Sequence, residues 1–142
     1  MVSLIGYLII FFAAGYSVPP MKFESRGFGE ATVGLVLNIL VPVWGYVNHT
    51  AEPLDLRFLA FMLLTAFIQF GRMMIMNIAD RKHDEEAKKR TSIVIMGMEK
   101  ATKLYIFMSS IAYVGPLFLI GHLPNLILIL HYMTLPFFLW IS

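Results

Sequence analysis

The segment from Arg57 to Asp80, RFLAFMLLTAFIQFGRMMIMNIAD, decides the fold of this 142-residue chain. It carries no charged side chain between Arg57 and Arg72, and it exceeds the roughly 20 residues that a helix needs to cross a bilayer. In hydrocarbon every backbone N–H and C=O group must be paired within the protein, which a helix achieves inside one segment. The segment is therefore predicted to be a transmembrane helix that ends in a polar, acidic stretch.

Four further apolar segments accompany this one along the chain. Hydrophobic residues make up 58% of the sequence, charged residues only 14%, and the mean hydropathy is +0.75. Such a chain has too little polar surface for a soluble domain and is too apolar to be disordered. We expect an all-α, multi-pass transmembrane bundle that forms a single membrane domain over residues 1–142. Its five spans are predicted near residues 2–20, 30–48, 57–78, 101–121 and 124–141.

Basic residues are concentrated in two of the connections between the spans. Nine of the eleven Lys and Arg residues lie in or beside the first and third connections, residues 21–29 and 79–100, and the other two connections hold none. Short loops rich in Lys and Arg remain on the cytoplasmic side of a membrane. The sequence therefore predicts that both basic connections face the cytoplasm, with the N-terminus outside and the C-terminus inside. Membrane orientation thus accounts for the net charge of +2 without a nucleic-acid partner.

Two kinds of residue interrupt the apolar spans. Pro42, Pro116 and Pro136 lie within them and should kink their helices, because proline lacks a backbone donor. Packed neighbours can then satisfy the carbonyl groups that proline leaves unpaired. His131 lies in the last span, where we expect it to hydrogen-bond to a neighbouring helix.

The third connection begins with the residues that point most directly to chemistry. If the helix continues past the membrane, Asn77, Asp80 and Asp84 are three and four residues apart and share one face. Two carboxylates one turn apart repel each other unless a cation joins them, and oxygen ligands of this kind suit Mg²⁺. Lys89 and Arg90 follow and would supply donors to a diphosphate. Together these side chains suit a lipid diphosphate, with its charged head at the membrane rim and its isoprenoid tail between helices.

The same region permits two further interpretations. The segment DRKHDEEAKKR, residues 80–90, is also typical of a solvated cytoplasmic loop in which acidic and basic side chains pair with one another. A small membrane protein without catalytic activity would use such a loop to contact a partner or lipid. Alternatively, Gln69, Arg72 and Asn77 would line a polar path through a transporter or channel. From these residues alone, all three interpretations remain open.

Two motifs, in this order along the chain, resemble a known family. Asn77, Asp80 and Asp84 form an N-x-x-D-x-x-x-D pattern that is followed by Lys-Arg-Thr (residues 89–91) and, six residues later, by a glycine. Upstream, residues 19–30 read PPMKFESRGFGE. The first pattern resembles the second aspartate motif of the UbiA-type intramembrane prenyltransferases, and the upstream segment resembles the "PP…RGLGE" segment of the same family. The upstream segment is most similar to the branch that prenylates naphthoquinone precursors such as dihydroxynaphthoate.

This resemblance implies a fold and an activity. Members of the family are bundles of nine transmembrane helices that bind an isoprenyl diphosphate through Mg²⁺ and transfer the isoprenyl group to an acceptor, often an aromatic ring. By the resemblance, Asp80 and Asp84 would ligate Mg²⁺ as the catalytic pair. The residues that would bind or orient the diphosphate are Asn77, Lys89, Arg90 and, as a weaker candidate, Arg26.

The sequence departs from the family pattern at two points. It has no N-D-x-x-D-x-x-x-D motif, which is the family's first aspartate motif, and the resemblance covers about helices four to eight of the nine. We therefore expect that this chain alone is not a competent transferase. Three explanations remain open: a truncated reading frame, a split-gene product whose complementary chain carries the first motif, or a remnant. Lys88 also stands where the family has glycine before the basic pair, which would alter the turn because lysine adopts positive φ poorly.

Overall fold

The computed structural model describes residues 2–136 and contains, over that range, five helices and no strand. The helices are α1 (Val2–Ser17), α2 (Gly29–His49), α3 (Leu56–Glu86), α4 (Ser92–Val114) and α5 (Asn125–Tyr132). A 3₁₀ segment, Gly115–Leu119, extends α4, and a shorter one, Phe23–Ser25, lies between α1 and α2. The predicted all-α class is confirmed.

The helices have the lengths and surfaces of a membrane bundle. Helices α2 and α3 and the stretch Ser92–Leu119 are long and apolar enough to cross a bilayer, and α1 is a shorter apolar helix. Large apolar side chains lie on the outside, such as Phe118, which is 81% exposed, and Leu56, which is 78% exposed. Water disfavours such a surface, whereas lipid accommodates it. The predicted helical membrane bundle is confirmed; the end of the fifth predicted span, residues 137–142, lies outside the described residues.

Proline changes the backbone at two of the predicted kinks. Before Pro42, α2 widens into a π-helical segment over Val36–Leu40. Pro116 has no N–H to donate to the Ala112 carbonyl four residues earlier, and the α-helix gives way to the 3₁₀ segment at this point. The wider π-helical turn before Pro42 and the tighter 3₁₀ turns at Pro116 accommodate the N–H donors that proline lacks, and the long helices continue. Pro136 is the last of the described residues.

Helix α3 packs against both α2 and α4. Between α3 and α4 the core consists of Met74, Ile93 and Ala101, none of which is more than 1% exposed. Helix α2 approaches α3 at Gly34, where a Cβ atom would lie only 3.1 Å from the Ala66 carbonyl oxygen. Glycine suits this approach because it has no Cβ to crowd that carbonyl. The packing brings the N-terminal ends of α2 and α4 beside the C-terminal end of α3.

The segment 79–100, predicted as one connecting loop, is mostly helical. Helix α3 continues to Glu86 and α4 begins at Ser92, so the connection comprises residues 87–91. Good helix formers such as Ala, Arg, Lys and Glu fill the segment after the apolar span and extend α3 beyond it. Helix α4 has a local break at Gly97, whose φ of 76° is outside the helical region. Helix α3 therefore continues beyond its apolar span, which is the condition under which the polar residues share one face.

Helix α3 ends in a Schellman motif that is built around Lys88. This residue has a φ of 55°, in the left-handed region, and its N–H donates to the Glu85 carbonyl. The Lys89 N–H donates to the Asp84 carbonyl at 2.8 Å, which completes the motif. Glycine is the usual residue at this position because it has no steric penalty at positive φ. The turn folds the chain back so that Lys89 lies beside Asp84.

Candidate active site

A small cavity with a mostly polar lining lies where the ends of α2, α3 and α4 meet. Its volume is about 80 Å³. Four of the residues singled out from the sequence line it: Asn77, Asp80, Asp84 and Lys89. Four polar residues that were not assigned to the site from the sequence line it as well: Tyr16, Glu24, Glu30 and Thr91. This space, here called the acidic cavity, thus has four carboxylate side chains around it.

The two predicted aspartates reach the acidic cavity from successive turns of α3. Asp84 is buried, with 8% of its surface exposed, whereas Asp80 is exposed. The Lys89 Nζ atom lies 4.0 Å from Asp84 Oδ1, so the deeper carboxylate has a cation beside it. The three- and four-residue spacing that predicted a shared face is therefore what brings these side chains to one cavity.

Glu30 is more deeply buried than any other acidic or basic residue among those described, with 1% of its surface exposed. Its Oε1 accepts hydrogen bonds from Asn77 Nδ2 at 2.8 Å and from the Ser92 N–H at 3.2 Å. One carboxylate thus links the starts of α2 and α4 to the end of α3. Sequence reasoning missed this role because the partners are 47 and 62 residues away. The available signal was a glutamate at the start of an apolar span, where an ionisable residue usually has a function.

Two buried oxygen atoms at the acidic cavity have no hydrogen-bond partner. They are Glu30 Oε2 and Thr91 Oγ1. Thr91 is 5% exposed and lies at the N-cap of α4, yet its side chain makes no capping hydrogen bond. An unpaired buried polar group costs about 1 to 3 kcal/mol, and a charged one costs more, so proteins seldom leave such groups unpaired. Both atoms belong to residues that line the acidic cavity, so a species bound there is a candidate partner for them.

Arg26 and Arg90 lie beside the acidic cavity without lining it. The connections that carry them touch, because the Arg90 N–H donates to the Ser25 carbonyl at 3.1 Å. Both arginine side chains are exposed, and each lies close in sequence to a residue of the lining, Glu24 or Lys89. The structure therefore brings four of the six predicted site residues to the cavity and leaves these two at its border.

The donor set of the acidic cavity fits a hard divalent cation. Mg²⁺ prefers carboxylate and amide oxygens, keeps several of its waters, and often shares the phosphates of a substrate. Within residues 2–136, no three or more His, Asp or Glu side chains are grouped so that they alone could hold a metal ion. The residues present therefore fit an ion that one or two carboxylates bind and that waters and phosphate oxygens complete.

The polar residues proposed for a transport path do not come together. Asn77 lines the acidic cavity, whereas Gln69 lines a separate cavity of about 310 Å³ farther along α3, here called the central cavity. Arg72 is exposed, and its Nε donates to Gln69 Oε1 at 3.2 Å. These three side chains therefore do not form one continuous polar path in the described part of the chain.

His131 hydrogen-bonds to a neighbouring helix, as the sequence predicts. Its Nε2 lies 3.0 Å from the Ala112 carbonyl oxygen, which has lost its usual helical donor because Pro116 has no N–H. The Tyr132 hydroxyl donates to the Tyr113 carbonyl at 2.9 Å. These bonds tie α5 to the end of α4 and satisfy carbonyl groups of its last turns.

A protein-family model matches all of the 142-residue chain. The model is that of the UbiA prenyltransferase family, and it matches residues 1–142. No curated protein and no solved structure gives a significant match. The matched range includes the acidic cavity and both of the motifs that carry the resemblance.

Proposed function

The chain belongs to the UbiA prenyltransferase family, and from this membership we propose that it binds a prenyl diphosphate in the acidic cavity and transfers the isoprenyl group to an aromatic acceptor. Membership implies intramembrane prenyl transfer in general. The assignment of individual residues, of the cation and of the acceptor is our proposal.

An apolar groove that adjoins the acidic cavity is the observation that carries this proposal. The groove, of about 250 Å³, lies between α1 and α2, and Tyr16 lines both it and the acidic cavity. Its other lining residues are almost all apolar: Phe12, Ala13, Thr32, Val33, Val36 and Leu37. A prenyl diphosphate requires a polar site for its head and an adjacent apolar surface for its isoprenoid chain. A solvated loop that only contacts a partner requires neither.

The charge of the acidic cavity supports a diphosphate only together with a cation. Glu24, Glu30, Asp80 and Asp84 surround the space, and Lys89 is the one basic side chain in the lining. A diphosphate adds further negative charge, and like charges at such separations repel each other strongly. Mg²⁺ held by the two aspartates would remove this repulsion and stabilise the charge that develops on the leaving diphosphate.

Prenyl transfer would place the breaking bond where the acidic cavity meets the groove, beside Tyr16. The allylic C–O bond breaks, and its electron pair leaves with the diphosphate. Lys89 would donate to the leaving oxygens, while Arg90 and Arg26 at the border would bind the outer phosphate. A ring carbon of the acceptor then forms the new bond to the allylic carbon and loses its proton to solvent.

The acceptor and the full requirement for turnover are finer parts of the proposal. Residues 19–30 resemble the branch that uses naphthoquinone precursors, which supports a quinone-type acceptor. The sequence contains no N-D-x-x-D-x-x-x-D motif, so we propose that turnover needs further acidic ligands from outside these 142 residues, such as those of a complementary chain. The charge distribution supports a cytoplasmic position for the acidic cavity.

Diphosphate binding tests the proposal most directly. We expect purified protein in detergent to bind radiolabelled geranyl diphosphate only with Mg²⁺, and Asp84→Asn or Asp80→Asn to weaken that binding on the order of 100-fold, because each removes a charged oxygen ligand. Asp55→Asn is the matched control. Asp55 caps α3 by accepting the Arg57 N–H at 2.8 Å, and asparagine caps helices as well as aspartate does.

Equal binding by the Asp84 variant and the wild type would contradict the proposal. So would binding that persists when a chelator removes divalent ions. A loss in the Asp55→Asn control as large as that in the Asp84 variant would also overturn it, because the loss would then reflect general damage to the fold.

A further inference from the structure

We propose that Glu30 is a positioning residue for the bound cation, an inference that rests on the proposed function. Its Oε1 orients the Asn77 amide so that Asn77 Oδ1 is available to the acidic cavity, and its Oε2 accepts hydrogen bonds from waters of the cation. Glu30 thereby extends the cation site from α3 to the start of α2.

The first step concerns the orientation of the Asn77 amide. Asn77 Nδ2 donates to Glu30 Oε1 at 2.8 Å, and the same oxygen accepts the Ser92 N–H at 3.2 Å. If the amide turned over, its oxygen would face the carboxylate without a donor between them, which is unfavourable. The carboxylate therefore keeps the Asn77 nitrogen on its own side and leaves Oδ1 as the acceptor. An amide oxygen is a ligand that Mg²⁺ accepts, whereas an amide nitrogen is not.

The second step concerns the other carboxylate oxygen of Glu30. Oε2 is buried and has no hydrogen-bond partner. Glu30 as a whole is only 1% exposed, and it lines the acidic cavity. Linking three helices accounts for Oε1 alone and leaves Oε2 unexplained. A charged oxygen in that position needs a donor, because burial without one is costly.

The third step identifies the donor. In the described part of the chain, acidic and His side chains do not form a group of three or more that could bind an ion directly. A direct bond from Glu30 to an ion that both aspartates already bind therefore does not fit the arrangement. Mg²⁺ keeps several of its waters, and each is a strong hydrogen-bond donor. A water between Glu30 Oε2 and the ion satisfies the carboxylate and fixes the ion against α2. Groups that hold metal-bound water in this way affect metal affinity nearly as much as some ligands do.

The variant Glu30→Gln separates this role from a purely structural one. The glutamine Oε1 can still accept from Asn77 and Ser92, and those two donors prevent the amide from turning over. Only the unpartnered atom then changes, from an oxygen acceptor to an N–H₂ donor. We expect the variant to keep its melting temperature without divalent ions, yet to bind Mn²⁺ roughly 10- to 100-fold more weakly by electron paramagnetic resonance.

The control variant is Glu85→Gln, which removes the same charge near the end of α3. Glu85 is exposed and pairs with Arg81 at 2.8 Å, so its loss should leave Mn²⁺ affinity within about twofold of the wild type. Equal Mn²⁺ affinity of the Glu30→Gln variant and the wild type, while Asp84→Asn loses binding, would overturn the role of Glu30 alone. Absence of Mn²⁺ binding in the wild type would overturn the proposed function as well.

Asn77→Asp provides a second test if Glu30→Gln does not yield folded protein. It replaces the amide donor with a carboxylate that meets Glu30 without a hydrogen between them, so a cation should become necessary to hold the two groups together. We expect Mg²⁺ to raise the melting temperature of this variant more than that of the wild type. An equal rise in both proteins would overturn the proposal, because the cation would then not act on this pair.

Discussion

The acidic cavity and the contact between α4 and α5 are both places where polar groups are buried among apolar helices, but they differ in how those groups are satisfied. At the α4–α5 contact, His131 lies 3.0 Å from the Ala112 carbonyl oxygen, and Tyr132 donates to the Tyr113 carbonyl. At the acidic cavity, Glu30 Oε2 and Thr91 Oγ1 have no partner. The first set of polar groups is complete within the protein, and the second is not.

On the proposed function, this difference separates polar groups that hold the fold from polar groups that a bound ligand would complete. A buried hydrogen bond between two helices stabilises the protein by a modest amount and needs nothing further. A buried carboxylate oxygen without a donor lowers stability until something binds to it. We therefore expect changes at His131 to affect stability but not binding, and changes at the acidic cavity to do the opposite.

The largest expected effect that tests this contrast is that of His131→Phe. Phenylalanine keeps a ring beside Phe61 and Tyr113, whose ring centroids are 5.5 and 5.6 Å from that of His131, but it cannot bond to the Ala112 carbonyl. Pro116 cannot supply the missing donor, so we expect a loss of about 1 to 3 kcal/mol in unfolding free energy. Denaturation in mixed detergent would measure it.

Binding distinguishes the two regions in the same variant. Folded His131→Phe protein should bind Mn²⁺ and geranyl diphosphate with the affinity of the wild type. A tenfold weaker diphosphate affinity at unchanged stability would contradict this distinction between the two regions. His131 also lines the central cavity, so such a result would mean that it contacts the ligand there.

A smaller effect is expected from Thr91→Val, which removes the second unpartnered oxygen at the acidic cavity. The valine has nearly the same shape, so the stability without ligand should be equal or higher, because an unsatisfied polar atom has gone. We expect Mg²⁺-dependent diphosphate binding to weaken by about fivefold to tenfold, which is the loss of one hydrogen bond of about 1 to 1.4 kcal/mol.

Thr91→Ser is the matched control for that experiment, since it keeps the hydroxyl and removes only a methyl group. It should bind the diphosphate as the wild type does. If Thr91→Val instead lowers stability and leaves binding unchanged, Thr91 acts as a helix cap in solution and the cavity does not use its hydroxyl.

Much of the acidic cavity could be predicted from the sequence because its aspartates belong to one helix. The spacing of Asn77, Asp80 and Asp84 determines a shared face as soon as α3 is helical, and that spacing is visible without a structure. The extent of α3 was harder to predict, since a charged segment after an apolar span is typical of both a loop and a solvated helix. Helix propensity favoured the helix, which continues to Glu86.

The contribution of α2 to the acidic cavity could not be predicted from the spacing of residues along the chain. Glu30 meets Asn77 only because α2 approaches α3 closely at Gly34, and no local pattern indicates which distant helices will pack together. The two unpartnered oxygens are also properties of the packed structure, because satisfaction of a hydrogen bond depends on every neighbour. The sequence therefore predicted Asn77, the two aspartates and Lys89, whereas packing added Glu30 and Thr91, whose oxygen atoms have no partner.

The smallest expected effect concerns the turn that places Lys89 at the acidic cavity. Lys88 has a φ of 55°, which costs an L-residue about 1 to 2 kcal/mol relative to glycine, while glycine loses more entropy on folding. The net gain for Lys88→Gly should be about 0.5 to 1 kcal/mol in unfolding free energy, with unchanged diphosphate affinity. The affinity should not change because the backbone bonds from residues 88 and 89, rather than the exposed Lys88 side chain, determine where Lys89 lies. Weaker binding at higher stability would instead show that Lys88 itself contacts the diphosphate, and the charged lining would then have to be extended beyond the acidic cavity to this turn.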